Sequence, residues 1–370
     1  MSLHRRHWLR ATAWAAALPS LGLSPAWALP PLVLHFPRDH GSHPQLRTEW
    51  WYLTGQVRAA QQLWGFQITF FRSRIDTAQP LRSTFAAKQL LFAHAALTDV
   101  AQGRLRHDQR IARAGFGIAE TSETDTAIRL HDWSLQRHTS THPGQSRYRI
   151  QAPAQGFALA LEATSTQPLL LQGDQGLSRK GPDPTQASYY VTQPQLQLSG
   201  TLRVDGKTLP LQPGSPQDNR AWMDHEWSEA LMHPDAVGWD WVGINLNGGG
   251  ALTAFILRRA DGSPLWAGGS LRSSADAAVQ VFGHDAVRFS PLRHWSSPTT
   301  GTRYPVAQQI DCPAGRFTIE ALVDAQELDS RASTGAIYWE GLCRLNDAQG
   351  REIGRGYMEL TGYAQRLQLG

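Results

Sequence analysis

Apolar and polar residues alternate with a period of two through most of this chain, and that pattern argues against a helical fold. In Leu63-Trp64-Gly65-Phe66-Gln67-Ile68-Thr69-Phe70-Phe71, an extended backbone puts Trp64, Phe66, Ile68 and Phe70 on one face. Phe157, Leu159 and Leu161 repeat the pattern within 156–163, and 195–204 follows it. Later, 239–246 reads as a strand, Asn247-Gly248-Gly249-Gly250 as a turn and 251–258 as the partner strand. Asp261-Gly262-Ser263 turns into 265–271, and 316–323, 336–345 and 354–363 continue the series, with Asp347-Ala348-Gln349-Gly350 as a further hairpin turn. Only 324–330 is a candidate short helix. Many short strands with glycine-rich turns predict an all-β protein built of sandwiches or barrels.

The first 28 residues stand apart from this pattern. Arg5, Arg6 and Arg10 precede a short apolar run, 11–23, and Ala26-Trp27-Ala28 has the form of a signal-peptidase site. Residues 1–28 therefore read as a cleaved signal peptide. Arg5-Arg6-His7-Trp8-Leu9-Arg10 resembles a twin-arginine signal, and an ordinary Sec signal would use the same arginines as its basic region. Both alternatives predict a periplasmic or secreted protein. Of 35 basic and 31 acidic residues, the leader holds three arginines and no acid, which leaves 32 against 31 and a net charge of +1. That balance gives no support to a nucleic-acid partner. No other apolar run is long enough for a membrane span.

The mature length suits two cores of ordinary size. Pro210, Pro213, Gly214 and Pro216 interrupt the strand pattern and place a boundary there, with domains at 29–212 and 213–370. A second irregular zone, 172–187, reads as a long loop inside the first domain. The two cysteines, Cys312 and Cys343, are compatible with a disulfide or with two buried thiols, and their spacing matches no zinc motif.

Chemistry concentrates in two places. Asn219-Arg220-Ala221-Trp222-Met223-Asp224-His225-Glu226-Trp227-Ser228 and Gly238-Trp239-Asp240-Trp241 together hold four tryptophans, three acids and a histidine. Glu49-Trp50-Trp51-Tyr52 is a smaller cluster of the same kind. Aromatic faces beside ionisable groups suit an apolar ligand held against proton-transfer chemistry.

With these, His43-Pro44, Arg47 to Gly55, Phe92 to Asp99, Ser188-Tyr189-Tyr190 and Gly354 to Tyr363 complete a set in fixed order. The chain resembles the AttH-like family of secreted lipocalin-like proteins, related to carotenoid 1,2-hydratases, over about residues 35 to 366. The resemblance implies two consecutive lipocalin-like (calycin) antiparallel β-barrels. It also implies a range of activities. The family includes hydratases of acyclic carotenoids, fungal relatives that fold polyenes into rings, and secreted members labelled only as predicted hydrolases, often encoded beside transporter genes.

If 222–228 is a regular strand, Trp222, Asp224, Glu226 and Ser228 share one face, and Met223, His225 and Trp227 share the other. Inward carboxylates would make Asp224 or Glu226 a general acid of raised pKa. An inward His225 would order water beside Trp227, the placement the hydratase resemblance implies. The structural alternative is a clasp of Asp224 and Glu226 on backbone or Arg220. Asp240 alternates with Val242, Ile244 and Leu246, so it sits on an apolar face and is the leading candidate for a neutral acid. Its alternative is a strand-end acid at the solvent rim. Trp50, Tyr52, Trp222, Trp227, Trp239, Trp241 and Tyr357 are candidate ligand-wall residues, with barrel core as the alternative for each. Glu49 has Arg47 and Arg72 as candidate partners. His94 would line the first barrel or the interface between barrels. His43, His94 and His225 lack a metal-ligand spacing, no serine elbow is present, and no cofactor is called for.

The expected function is binding of an apolar, isoprenoid- or lipid-like small molecule near the barrel junction, with hydration or cyclisation of an alkene as the accompanying chemistry. A non-enzymatic carrier or accessory protein of a transporter complex is the rival. A secreted hydrolase comes third.

Overall fold

The computed structural model describes residues 29–139, 144–215, 217–230 and 232–367. The leader assigned to 1–28 lies outside the described residues. Among those described, all regular structure is strand apart from two single-turn 3-10 helices, Arg38–His40 and Asp76–Ala78. No helix among the described residues is long and apolar enough to cross a membrane. The residues expected to form a short helix, 324–330, instead contain the strand Glu327–Ser330, which pairs with Ala336–Asn346.

The strands form two antiparallel lipocalin-like barrels. In the first, the order across the sheet is Arg104–Arg113, Gln89–Asp99, Gln62–Arg74, Thr48–Ala59, Arg220–Ala230, Ala187–Val204, Phe157–Thr164, Ser146–Ala154, Trp133–Thr139, Ala127–Leu130 and Ala119–Thr121. The sheet curls until Arg104–Arg113 approaches Ala127–Leu130. The second runs Gln280–Phe282, Pro264–Arg272, Ala251–Arg258, Gly238–Leu246, Glu352–Leu360, Ala336–Asn346, Gly315–Ala321, Arg303–Cys312 and Arg288–Ser296. Each barrel interior is filled. Trp51, Leu53, Phe66, Ile68, Leu97 and Met223 belong to the first core, and Val242, Ile244, Ile256, Trp339, Cys343 and Met358 to the second. Both cysteines are free thiols.

Arg220–Ala230 is the surprise of the topology. The proline-rich segment was expected to end the first domain, so this strand should have opened the second. Instead it lies in the first barrel, between Thr48–Ala59 and Ala187–Val204, with Trp51 opposite His225 and Tyr52 opposite Asp224. A division at 212/213 would separate it from every strand it pairs with. The crossover follows Ala230, and Gly238–Leu246 is the first strand of the second barrel. Met223, expected on one face or the other by alternation alone, completes the first core.

The barrels meet wall to wall. Strands at the contact bury both faces: their inner residues fill their own barrel, and their outer residues pack against the other barrel. Tyr52, Trp222, Trp241, Phe255, Leu342 and Tyr357 form this intervening core. Glycines permit the close approach, since a Cβ on Gly243 would lie 2.4 Å from the Trp241 ring and 2.9 Å from that of Trp222. Polar stitches cross the contact: Trp241 Nε1 donates to Tyr190 Oη (3.0 Å), Gln172 Nε2 donates to Thr253 (3.0 Å), and His94 hydrogen-bonds Tyr338 (2.8 Å).

Candidate functional site

With both interiors filled, the cavity that gathers chemistry lies between the barrels. It encloses about 90 Å³, room for several waters or one end of a larger molecule. Trp50, Phe71, Trp239, Trp241, Phe255 and Tyr338 give it aromatic walls. Asp224, Glu226, Glu340 and Glu359 face it, together with Tyr52, Tyr190 and Lys180. The acids come from three strands whose outward positions converge: Arg220–Ala230 supplies two, Ala336–Asn346 one and Glu352–Leu360 one. An apolar groove of about 220 Å³ shares Trp50, Phe71, Trp239, Tyr338 and Glu359 with it and continues past Phe92 and His94.

Charge within the cavity is unbalanced. Lys180 Nζ lies 3.0 Å from Glu226 and over the rings of Tyr190 (4.6 Å) and Phe255 (4.4 Å). Ser188 also donates to Glu226. Among the described lining residues no second cation answers the other three carboxyls. Asp224 accepts from Thr192 Oγ1 (2.6 Å) and Tyr190 Oη (2.7 Å), yet burial outweighs those bonds and raises its pKa to about 7. Burial likewise raises Glu359 to about 7, against a hydrogen bond from Trp239 Nε1 at 3.0 Å. Glu340 stands directly across the strand pair from Glu359. Burial, then the neighbouring Glu359 charge, pushes Glu340 well above the carboxylate range. Its Oε1 makes no close hydrogen bond within the protein, nor does the Tyr52 Oη it faces, and the loose interaction between the two lowers Glu340 far less than burial raises it. Two carboxyls on opposed positions out of water cannot both ionise cheaply, so the pair holds a proton at neutral pH.

A family model for AttH-like proteins matches residues 28–363. The chain belongs to the AttH-like family. A crystal structure of an AttH candidate from Nitrosomonas europaea is 44% identical, with a TM-score of 0.82 over 91% of this chain and 99% of that one. Kievitone hydratase from Nectria haematococca shares the fold at 14% identity, with a TM-score of 0.65 over 90% of this chain and 94% of its own. CghA in complex with Sch210972 does so at 12% identity, with a TM-score of 0.51 over 91% and 97%. No curated protein matches the chain.

In this AttH-like protein the residues singled out from sequence divide sharply. Asp224, Glu226, Trp50, Tyr52, Trp239 and Trp241 meet in the cavity. His94 lies on the barrel interface and lines the adjoining groove, where its ring nitrogens engage Tyr338 and Ser333 (2.8 Å each), and burial lowers its pKa to about 3. Trp222 and Tyr357 are packed in the inter-barrel core beside the cavity. Asp240, the leading candidate acid, points the other way, toward the second barrel. Arg258 Nε donates to it at 2.7 Å, Gln308 Nε2 at 3.0 Å and Tyr363 Oη at 3.0 Å. It is a saturated structural carboxylate, because the face it shares with Val242 and Ile244 is the barrel interior.

His225 and Trp227 also face away from the cavity. Glu49 is the centre of their cluster. It accepts from His43 Nδ1 (2.8 Å), His225 Nε2 (3.0 Å), Arg72 Nε (2.8 Å), Ser42 Oγ (2.9 Å) and the His43 backbone N–H (2.9 Å). Trp227 stacks on His43 at 4.0 Å and Trp51 on His225 at 4.6 Å. Although His43, Glu49 and His225 lie close enough to share an ion, the Arg72 guanidinium already occupies the carboxylate. The donor set fits a buried clasp rather than a metal centre.

Sequence reasoning missed Lys180, Tyr190, Glu340 and Glu359. The two glutamates carry the signal that selected Asp240, an acid alternating with apolar residues: Glu340 with Tyr338 and Leu342, Glu359 with Tyr357. Lys180 sits in the irregular 172–187 zone, which offers no period to read. Two short strands, Leu170–Leu171 just before it and Leu177–Arg179 within it, pair with Ala187–Val204 and bring Lys180 to the cavity.

Proposed function

We propose that the inter-barrel cavity receives the reactive end of an apolar, isoprenoid- or lipid-like molecule and protonates an alkene there, leading to hydration or cyclisation. One observation carries this reading: three carboxyls without a cation face an aromatic wall, so a neutral acid stands where a carbocation would be sheltered. Glu340, paired with Glu359, would give its proton to one alkene carbon as the π electrons form the new C–H bond. The cation left on the other carbon would lie against Trp50, Trp239 and Trp241, whose faces stabilise positive charge. Addition of water forms the C–O bond, and its surplus proton passes to a carboxylate, restoring the acid. In cyclisation a second alkene of the same molecule takes the place of water, and the cation that the new C–C bond leaves gives up a neighbouring proton to the carboxylate, forming an alkene and restoring the acid. The adjoining groove suits the rest of the chain, and a fold neighbour named as a hydratase supports the reaction class.

The test uses an acyclic isoprenoid alkene such as lycopene in H2-18O. Wild-type protein is expected to add one labelled oxygen, or to return a cyclised isomer. Glu340→Gln should lose about 10²–10⁴ in rate while still quenching tryptophan fluorescence on binding. Ligands, including those that co-purify, that bind and return chemically unchanged from wild type would favour the carrier serving a transporter. On the proposed reading the protein works outside the cytoplasm, which cell fractionation tests directly.

A further inference from the structure

The acid cavity ends where a second cavity begins. A polar cleft of about 320 Å³ lies further along the same contact between barrels, lined by Thr54, Gln56, Arg58, Gln217, Asn245 and Leu342 among others. The two abut on three strands at once. One outward position beyond Tyr52 is Thr54, beyond Asp224 is Trp222, and beyond Glu340 is Leu342; the first of each pair lines the acid cavity and the second the cleft.

Along this boundary the barrels leave a row of buried polar atoms with no close hydrogen bond to protein, Tyr52 facing Glu340, Trp222 facing Asp224 and Gln67 facing Tyr338 only loosely, and Thr54 and Gln56 Oε1 facing none. Tyr52 Oη, Thr54 Oγ1 and Gln56 Oε1 follow one another on Thr48–Ala59. Gln67 Nε2 and Trp222 Nε1 flank Thr54 on the neighbouring strands, since Thr54 pairs with Gln67 on one side and Trp222 on the other. Glu340 Oε1 closes the row on the opposite barrel. All six residues are more than nine-tenths buried. Such atoms cost about 1–3 kcal/mol each when left unmatched, and native proteins satisfy them almost without exception. Donors, acceptors and two hydroxyls alternate here, which suits a molecule that both gives and takes hydrogen bonds. The span from residue 52 to 56 is about 13 Å at ~3.3 Å per residue, the length of a file of four or five molecules at hydrogen-bond spacing. The cleft's cations are already engaged: Arg58 is 2.9 Å from Asp218, Arg355 is 2.6 Å from Glu352, and Arg220 Nη1 donates to the Gln195 carbonyl at 3.0 Å.

We infer that a file of ordered water runs between the barrels from the polar cleft to the acid cavity, held by Gln56, Thr54, Gln67 and Tyr52, and that it delivers water and protons to Glu340 and Asp224. The role in delivery rests on the hydration reading; the file itself does not. An apolar ligand filling the groove would shut out solvent from its own side, and the file supplies water from the other. Thr54 is a positioning residue in this scheme and touches no substrate.

A crystal structure of the full protein near 1.5 Å resolution tests the file. Density within hydrogen-bond distance of Thr54 Oγ1, Gln56 Oε1 and Tyr52 Oη, continuous between the cavities, supports it. A dry seam overturns it. Thr54→Val, equal in shape and lacking the hydroxyl, should break the file in its own crystal structure. It should lower kcat for 18O uptake about tenfold with KM unchanged, and Thr54→Ser should restore both. A wild-type rate in a Thr54→Val protein whose file is broken overturns delivery. If wild type shows the file and adds no 18O, the hydration reading falls and the file stands; if it adds 18O across a dry seam, the file falls and hydration stands.

Discussion

Two groups of buried acids stand back to back in this molecule, on either side of the first barrel's wall. On the inner face Glu49 has five hydrogen bonds, one of them to an arginine and two to histidines. On the outer side Asp224 has two, both from hydroxyls, and Glu340, carried by the facing barrel, has no close one. Burial raises a carboxyl pKa in both groups. At Glu49 the hydrogen bonds and charges of His225, His43 and Arg72 overcome it and drive the group well below its ordinary value. At Glu340, Glu359 and Asp224 nothing does, so Glu340 holds its proton at neutral pH while Glu359 and Asp224 are raised to about 7. Partner supply, not depth, separates the acid held well below its ordinary pKa from those raised above it.

The widest separation should appear on removing one acid from each group. Glu49→Gln leaves Arg72 buried beside a neutral amide and should destabilise by about 3–5 kcal/mol, read by urea unfolding. Asp240→Asn, which strands Arg258 in the same way, should cost a similar amount and leave turnover per folded molecule unchanged. Loss of turnover in folded Asp240→Asn would break the distinction. Next comes pH. Glu359, raised from 4.5 to about 7, holds a proton in the folded state that the unfolded state releases. Its stabilising contribution is full below pH 4.5 and is lost as pH rises to about 7. Glu359→Gln should therefore be more stable than wild type at pH 8, by on the order of 2–3 kcal/mol, and equal to it at pH 4. The comparison must be a difference between the two proteins, because His94 and His225, held neutral by burial, lose stability in the opposite direction as pH falls. A smaller effect is expected at the barrel contact. Gly243→Ala pushes two indole rings and should cost about 1–3 kcal/mol, with weakened ligand binding. The smallest belongs to an exposed pair: Glu162→Gln, which removes the 3.2 Å contact with Arg149, should change stability by less than about 1 kcal/mol.

Alternation revealed the strands, the all-β class and half of the cavity wall. It failed at Asp240 and His225 for one reason. A strand buried on a single face shows which side is the core, but at the barrel contact both sides are covered, so Asp240 beside Val242 and Trp241 beside Gly243 both read as interior. Only the pairing of Tyr52 with Asp224 says which residues of these strands share a side, and that pair joins positions far apart in the chain. The error in the boundary has the same origin. Prolines mark where strand patterning stops, yet they carry no information about which sheet the next strand joins.

That next strand has a consequence for how the chain must be made. Arg220–Ala230 sits between the strand that begins at Thr48 and the one that ends at Val204, so neither can complete its hydrogen-bond ladder until residue 230 has been synthesised. The early barrel is held open as an unfinished sheet through most of its own synthesis, and contacts of such long sequence separation form slowly. The unit that folds first therefore ends at Ala230, and a fragment cut at the proline-rich segment would expose two unpaired edges suited to aggregation.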